Sequence, residues 1–226
     1  MNIDISLRPG SSMAKVMLAP GEHLTADGGS MVAMSTNVSI TTTTYKRDKG
    51  NILGAIKRVI SGESFFMNHY TAPSEGGEVW LAPTLPGDMF VKELSGEKLI
   101  VQAGSYVASS ENINVDFNWQ GFKSLFSGES LFWLGITGQG KVLINSFGII
   151  YPVEVDGEYI VDTGHIVAFQ ETLDFTISKA GKSWLSSFLG GEGFVCKFRG
   201  KGTVWCQSHN SKSFGMNVGP NLKPRN

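Results

Sequence analysis

The stretch GEHLTADGGSMVA, residues 21–33, decides the fold because the chain contains it three times. It returns as GEKLIVQAGSYVA at residues 96–108 and as GEYIVDTGHIVA at residues 157–168. Each copy opens with Gly-Glu, continues through alternating apolar residues and a small-residue turn, and ends on Val-Ala. A pattern that recurs in this way indicates internal structural repeats.

A second Gly-Glu series lies between these copies, starting at Gly62, Gly128 and Gly191. Copies of the first series are 75 and 61 residues apart, and copies of the second are 66 and 63 apart. The chain therefore divides into three repeats at about 1–85, 86–150 and 151–226. These intervals exceed the ~20–50 residues of solenoid units and suit small β units. We expect one domain with pseudo-threefold symmetry.

The composition is that of a β-rich globular protein. The 226 residues carry a net charge of −1, only 17% are charged, and 28 are glycine. Globular proteins average ~25% charged residues, so the chain has few charges and many turn residues. Its pI of 6.4 gives no strong nucleic-acid signal, since nucleic-acid-binding domains usually exceed ~9.

Alternation of apolar and polar residues predicts strands, for example at Leu99–Val101, Tyr159–Val161 and Leu173–Ile177. Turn signals recur every 8–12 residues, which is typical of a sandwich or barrel. They lie at Pro20-Gly21, Glu75–Gly77, Pro86–Asp88, Gly138–Gly140, Asp156-Gly157 and Gly200–Gly202. The pattern predicts an all-β fold of three β-sandwich-like repeats.

Three amphipathic stretches, residues 51–60, 120–126 and 182–189, interrupt this pattern at equivalent places. Their apolar residues are spaced as on short helices. We favour connecting helices that pack on the body or on a neighbouring subunit. Contact with a membrane surface or another protein is the alternative, because each stretch carries basic residues.

Cys196 and Cys206 flank the segment Gly200-Lys201-Gly202. A hairpin centred on Lys201 places the two cysteines opposite each other, close enough to pair. Reduced apolar cysteines are the favoured interpretation, because the N-terminal residues lack a secretory signal and the chain reads as cytoplasmic. No ligand spacing indicates a metal site, and no stretch of ~18 apolar residues predicts a membrane span.

Several blocks in the right order resemble the mitochondrial-biogenesis family named for altered inheritance of mitochondria. The resemblance covers about residues 15–210, and its blocks include residues 62–68, 81–88, 104–108, 161–169 and 191–207. It implies a fold like the tryptophan RNA-binding attenuation protein, a short double-stranded β-helix present three times. It supplies no reaction. The fungal member is linked to organisation of the mitochondrial inner membrane.

Each copy of the two series contains one Gly-Glu pair. We call the six glutamates of these pairs the turn signature. They are Glu22, Glu63, Glu97, Glu129, Glu158 and Glu192. Glycosidases place two carboxyl groups ~5–10 Å apart, whereas threefold symmetry would spread these six. We therefore expect glycine to provide the turn backbone and glutamate to accept nearby amide hydrogens.

The third copy has Asp162, Thr163 and His165 where the first copy has residues 26–31 and the second has residues 102–105, and a residue that departs from its symmetry mates can be functional. Asp162 could orient the imidazole of His165, with Ser30 or Ser105 across the symmetry axis as a nucleophile. No Gly-x-Ser-x-Gly elbow supports a hydrolase. We favour a structural role, in which these polar side chains close the centre of the body. The sequence also shows no P-loop motif.

Repetition without a catalytic constellation favours a non-enzymatic, homo-oligomeric scaffold or membrane-proximal organising protein with no cofactor. A small-molecule or RNA-binding module, with its ligand at repeat junctions or the central axis, is the first alternative. A hydrolase using Asp162 and His165 is the second. The sequence leaves open the ligand, the partner, the oligomer size and the pathway.

Overall fold

The computed structural model describes residues 1–46, 64–117, 119, 132–179 and 194–223. Within these ranges the chain is mostly β-strand, and the named strands pair antiparallel. The prediction of an all-β fold is confirmed. The three predicted helices at 51–60, 120–126 and 182–189 lie outside the described residues, as do Glu63, Glu129 and Glu192.

The first seven strands are β1 (Asn2–Ser6), β2 (Met13–Leu18), β3 (His23–Asp27), β4 (Met31–Met34), β5 (Ser39–Lys46), β6 (Ser64–Thr71) and β7 (Gly77–Leu81). The next five are β8 (Met89–Ser95), β9 (Leu99–Gln102), β10 (Tyr106–Ser110), β11 (Ile113–Asp116) and β12 (Trp133–Asn145). The last four are β13 (Ile150–Asp162), β14 (Ile166–Gln170), β15 (Leu173–Lys179) and β16 (Phe194–Gln207). Helix α1 (Ser211–Val218) follows, and 3-10 turns occupy Ala103–Ser105, Thr163–His165 and Gly219–Asn221.

The strands form two sheets. The smaller has the order β1-β2-β7-β4, and the larger, of twelve strands, follows the order β13-β16-β14-β9-β12-β10-β3-β6-β5. Strands β8 and β11 also pair with β12, and β15 pairs with β16. The long strands β12 and β16 therefore hold together elements that are far apart in sequence.

Three short strands share one irregularity. β4, β10 and β14 pair with β7, β12 and β16, and each pairing shifts register between the first and third residue of the short strand. The shift lies at Met31/Ala33, Tyr106/Ala108 and Ile166/Ala168. A β-bulge of this kind bends a strand and re-aims its side chains. In all three strands it follows directly on the small-residue turn of the repeated stretch.

Three predicted hairpin turns are wrong. Gly138–Gly140, Asp156-Gly157 and Gly200–Gly202 lie inside the continuous strands β12, β13 and β16. Gly157 and Gly200 have φ of 106° and 117°, a region that side chains other than glycine rarely adopt. Here glycine lies within a continuous strand and does not reverse the chain.

The hairpin about Lys201 was the reason to place Cys196 opposite Cys206, so that pairing is wrong as well. Both cysteines lie on β16, ten residues apart along one extended strand, and both are free and buried. At ~3.3 Å per residue the separation is about 33 Å, far beyond disulfide reach. Their partners in neighbouring strands are apolar residues such as Val161 and Ile166.

The core consists of three clusters of buried apolar side chains. The first joins β2, where Ala14, Val16 and Leu18 alternate with more exposed residues, to β7 and β3. The second centres on β12 and the third on β14–β16, where the rings of Phe169 and Phe198 lie 5.2 Å apart. Period-two burial of this kind is what aligns one face of each strand with the core.

Within the described part of the chain, no helix is long and apolar enough to cross a membrane. Helix α1 buries none of its residues. It starts at the N-cap Asn210, whose side chain accepts the backbone N–H groups of Lys212 and Ser213. It touches the body through Phe214, whose ring meets that of Phe147 edge-on at 5.3 Å.

Candidate functional site: a central polar cavity

A cavity of about 320 Å³ opens where the ends of several strands converge. Residues from all three sequence repeats line it, and they share small or polar side chains with a few apolar ones. They are Asp27, Ser30, Ala82, Pro83, Thr84, Leu85, Gln102, Gly104, Ser105, Tyr106, Val107, Asn145, Phe147, Gln207 and Ser211. We call this the central cavity. Its volume lies at the lower end of the range of small-molecule sites.

Strand ends place the polar groups. Asp27 is the last residue of β3, and Gln102 is the last residue of β9. A turn of three residues follows each of them and leads into β4 or β10. Ser30 and Ser105 are the last residues of these two turns and are both buried. The turns of the repeated stretch therefore bring the predicted site residues Ser30 and Ser105 to one cavity.

Two side-chain amides pin the turns. The Asn145 amide nitrogen donates to the carbonyls of Ser105 at 3.0 Å and Gly104 at 3.2 Å. The Gln207 amide nitrogen donates to the carbonyl of Gly164 at 3.0 Å. These two amides end β12 and β16, and both are buried. Sequence reasoning missed their role, although a polar residue that closes an apolar strand was a usable signal.

The first turn is held in another way. Ala82 stands directly after β7, and its backbone N–H donates to the carbonyl of Ser30 at 2.9 Å. No side-chain amide is available from an alanine. The Ser30 hydroxyl donates to the carbonyl of Asp27 at 2.7 Å. The cavity wall near Asp27 therefore contains the small side chains of Ser30 and Ala82.

Asp27 is the carboxyl group of the central cavity, and its environment is unusual. Burial raises the pKa of Asp27 to about 6, although the backbone N–H of Gly28 hydrogen-bonds to it and opposes the shift. No Lys, Arg or His stands among the described residues that line the cavity. Among the described residues, Asp27 is not part of an ion pair. A partly desolvated carboxyl group in a cleft is a typical functional candidate.

The other predicted residues, Asp162, Thr163 and His165, hydrogen-bond to backbone groups. The Asp162 carboxylate accepts the N–H of Gly164 at 2.8 Å and so caps the 3-10 turn at Thr163–His165. The Thr163 hydroxyl donates to the carbonyl of Phe194 at 3.0 Å. His165 Nδ1 lies 2.7 Å from the carbonyl oxygen of Gln207, to which it donates. These bonds orient the turn. Asp162 and His165 do not line the central cavity that holds Ser30 and Ser105.

The described glutamates of the turn signature lie outside the cavity. Glu22 accepts the backbone N–H of Ala19, and Glu97 accepts that of Ser95, each at 2.8 Å. Glu158 instead pairs with Lys197 at 2.5 Å and with Arg199 at 2.6 Å. Hydrogen bonds lower the pKa of all three carboxyl groups. The largest contribution comes from the N-terminal ammonium for Glu22, from the backbone N–H of Ser95 for Glu97 and from Lys197 for Glu158.

A metal is not indicated by the described residues, since none of their His, Cys, Asp and Glu side chains form a group of three that could hold one. The arrangement offers one carboxylate, several hydroxyls and side-chain amides beside the apolar side chains of Leu85, Val107 and Phe147. Such a mixed lining can hold a small organic molecule by one polar end.

Known proteins resemble this chain both in sequence and in structure. The chain is 32% identical over 209 residues to an uncharacterized protein of Streptococcus pyogenes serotype M6, covering 89% of this chain and 83% of the relative. A crystal structure of a Streptococcus pyogenes protein superposes with a TM-score of 0.79 at 28% identity, covering 98% of this chain and 99% of that one. The family model described as mitochondrial biogenesis AIM24 matches residues 4–209. The chain therefore belongs to the AIM24 mitochondrial biogenesis family, as the sequence resemblance predicted.

Proposed function

We propose that this protein is a non-enzymatic, cytoplasmic β scaffold that assembles with further copies of itself through unpaired strand edges. Its three repeats, at about 1–85, 86–150 and 151–226, form one domain with pseudo-threefold symmetry, each repeat resembling a short double-stranded β-helix. The observation that carries the proposal is a missing strand pairing. Two junctions between repeats are made in the chain. In the part of the chain that the structure describes, the strands expected to make the third are unpaired at those edges.

The two junctions that exist have the same register. β10 pairs with β3 so that Ala108 lies opposite Ala26. β14 pairs with β9 so that Ala168 lies opposite Val101. In each case the pairing begins at the alanine that follows the register shift of the short strand. The third short strand, β4, has its equivalent alanine at Ala33.

The third junction would join β4 to the end of β13. Among the described residues, β4 pairs only with β7, and β13 pairs only with β16. Applying the register of the first two junctions places Ala33 opposite Val161 and Met34 opposite Ile160. Val161 is the correct counterpart because it precedes Asp162, as Ala26 precedes Asp27.

Both edges also expose apolar side chains. Val32 is 55% exposed and Met31 40% exposed on β4, while Ile160 is 59% exposed and Tyr159 48% exposed on β13. An uncovered apolar edge is a template for pairing with another chain, and proteins usually protect it. A second copy offers the matching edge in the register already used twice. This head-to-tail contact builds a ring or a filament.

Cysteine cross-linking tests this assembly. Opposite residues of an antiparallel pair have Cβ atoms ~4.5–5.5 Å apart, so Met34→Cys in one chain and Ile160→Cys in another should join through a short bis-maleimide. We expect a covalent dimer when the two single variants are mixed. The native cysteines are buried and do not interfere. As the matched control, Met17→Cys replaces Met34→Cys, because Met17 is 39% exposed on β2, which pairs on both sides.

Two results would contradict the assembly. A chain carrying both cysteines that links only within itself would mean that the third junction closes inside one molecule. A lack of any link, together with a monomeric mass in sedimentation, would mean that the edges stay unpaired. Ile160→Lys should lower the assembled mass, because a lysine on an edge strand opposes pairing. Met216→Lys should not, because Met216 is 68% exposed on helix α1, which belongs to neither strand edge.

The membrane-proximal role remains part of the proposal. Phe214, Met216 and Leu222 near the C-terminal end are 47%, 68% and 64% exposed, and such residues favour an interface with lipid or protein. Flotation with vesicles of mixed neutral and anionic lipid tests it. Loss of flotation in Phe214→Ser with Met216→Ser would assign lipid contact to this region, and no flotation of the original chain would remove the membrane role.

The second candidate function is small-molecule binding, which the central cavity supports because all three repeats contribute to its wall. Binding of RNA has less support, since the net charge is −1. The hydrolase alternative is disfavoured by the backbone partners of His165 and Asp162. An esterase or peptidase activity that disappears in His165→Ala would reinstate it.

A further inference from the structure

We propose that the central cavity binds a small organic cation, with a primary ammonium group paired to the Asp27 carboxylate and an apolar tail against the opposite wall. The inference develops the ligand-binding candidate and does not depend on self-assembly. It rests on the charge of the cavity, the hydrogen-bonding groups around Asp27 and the apolar remainder of the lining.

The lining of the cavity carries an unbalanced negative charge. Asp27 is its ionisable carboxyl group, and no cationic side chain stands among the lining residues. A second carboxylate in this protein shows the contrast. Asp88 is 3% exposed, and Arg8 holds it with hydrogen bonds of 2.7 and 3.0 Å. Desolvated carboxylates usually have such a partner. A bound cation would give Asp27 an equivalent partner.

The groups near Asp27 suit an ammonium donor. A primary ammonium has three N–H donors and needs acceptors. The Ser30 hydroxyl donates its hydrogen to the carbonyl of Asp27, so its oxygen lone pairs remain able to accept a hydrogen bond. The Ser105 hydroxyl lies 3.4 Å from the side-chain oxygen of Gln102, to which it donates, and likewise keeps its lone pairs. The carboxylate and two hydroxyl oxygens supply acceptors in the lining of the cavity.

Part of the remaining wall is apolar. The Tyr106 phenol is engaged with the carbonyl of Thr25 at 3.2 Å and with Ser109 at 2.8 Å. Leu85, Val107 and Phe147 contribute apolar surface beside the polar side chains of the lining. A ligand with one ammonium group and a short apolar body therefore matches the carboxylate and this apolar surface, whereas the Asp27 carboxylate would repel a phosphate or a second carboxylate.

Titration of Asp27 gives the site a pH signature. Burial raises its pKa to about 6, so the carboxylate forms as the pH rises through that value. An ammonium ion is attracted only to the ionised form. Affinity should therefore be weak at pH 5, rise through pH 6 and level off near pH 8, while the amine itself stays protonated.

Calorimetric titration and thermal unfolding with n-butylamine and phenethylamine test the site, with n-butanol and 2-phenylethanol as uncharged analogues. We expect the amines to bind at pH 8 and raise the melting temperature, and the alcohols to do so at least tenfold less effectively. Asp27→Asn should weaken amine binding tenfold or more. Asp156→Asn is the matched control, because Asp156 is an exposed carboxylate beside Lys201.

Three outcomes would overturn the proposal. They are no response to either amine, equal binding of amine and alcohol, and unchanged amine affinity in Asp27→Asn. The same titration on Ile160→Lys separates this proposal from self-assembly. That variant should bind amines normally even if its assembled mass falls, and a cavity that fails to bind leaves the cross-linking result untouched.

Discussion

Arg8 holds Asp88 with two hydrogen bonds, from Nε to Oδ1 at 2.7 Å and from Nη2 to Oδ2 at 3.0 Å. The contact ties the loop between β1 and β2 to the start of β8. Ser12 and the backbone N–H of Met89 also donate to Asp88. Burial by itself would raise the pKa of Asp88, but these hydrogen bonds and the Arg8 charge lower it below its ordinary value.

Replacement of Asp88 by alanine should destabilise the fold. The loss leaves four donor groups, from Arg8, Ser12 and Met89, without their acceptor. We expect a cost of about 2–3 kcal/mol at pH 7, because water can solvate the half-exposed Arg8 in the variant. Urea unfolding measures it. Because the folded pKa is lowered, this stabilisation is complete above the unfolded pKa of ~3.9 and is lost as the pH falls through the folded pKa. The deficit should shrink at pH 3, and a constant deficit would contradict the electrostatic account.

Replacement of Asp27 by asparagine should have the opposite sign. The pKa of Asp27 is raised to about 6 by burial, so ionisation costs the folded state more than the unfolded one. The variant should gain about 1–2 kcal/mol at pH 8, and the gain should vanish as the pH falls from 6 to 4. Thermal unfolding across this pH range measures it. A loss of stability at pH 8 would show that the carboxylate is satisfied. A destabilising carboxylate of this kind is typical of a functional position.

Replacement of Gln207 by alanine should loosen the turn at Thr163–His165. Its amide donates to the Gly164 carbonyl at 3.0 Å and accepts the backbone N–H of Phe147 at 2.9 Å. Two buried backbone groups lose their partners, so we expect a cost of about 2–3 kcal/mol. Hydrogen exchange should speed up at Phe147. Exchange unchanged at that amide would contradict the role of Gln207, and Gln139→Ala, in the bend of β12 and away from the cavity, is the comparison.

The two cysteine thiols should be inert in the folded protein. Burial raises the pKa of Cys196 to about 12 and that of Cys206 to about 11, so almost no thiolate exists at pH 8. An aromatic disulfide reagent should label two thiols per chain in guanidinium and almost none in buffer. Oxidation should produce no intramolecular disulfide. A loss of both thiols on mild oxidation of the folded chain would contradict the single-strand placement.

Local sequence was a good guide to the elements. Alternation predicted strands at Leu99–Val101 and Leu173–Ile177, and β9 and β15 contain them. The glycines of the repeated stretch, Gly21, Gly96 and Gly157, all have positive φ, as a turn residue without a Cβ allows. These features depend on neighbours in the chain, so a short window of sequence carries the information.

Local sequence wrongly predicted turns at the glycines within long strands. Gly200 and Gly157 signal a turn in sequence, yet each lies in a continuous strand of thirteen or fourteen residues. Register decides between the two outcomes, since Gly157 pairs directly with Gly200 across β13 and β16. That pairing joins segments about forty residues apart, and no local pattern records it.

By itself the sequence determined the all-β class, the family and the positions of the repeated stretch, because period-two alternation and glycine geometry are local properties of the chain. Only the tertiary structure decided that Ser30 and Ser105 share a cavity with Asp27, and that Asn145 and Gln207 pin the turns around it. Those relationships depend on desolvation and hydrogen bonds between residues distant in sequence. The packed fold sets them, and with them the raised pKa of Asp27.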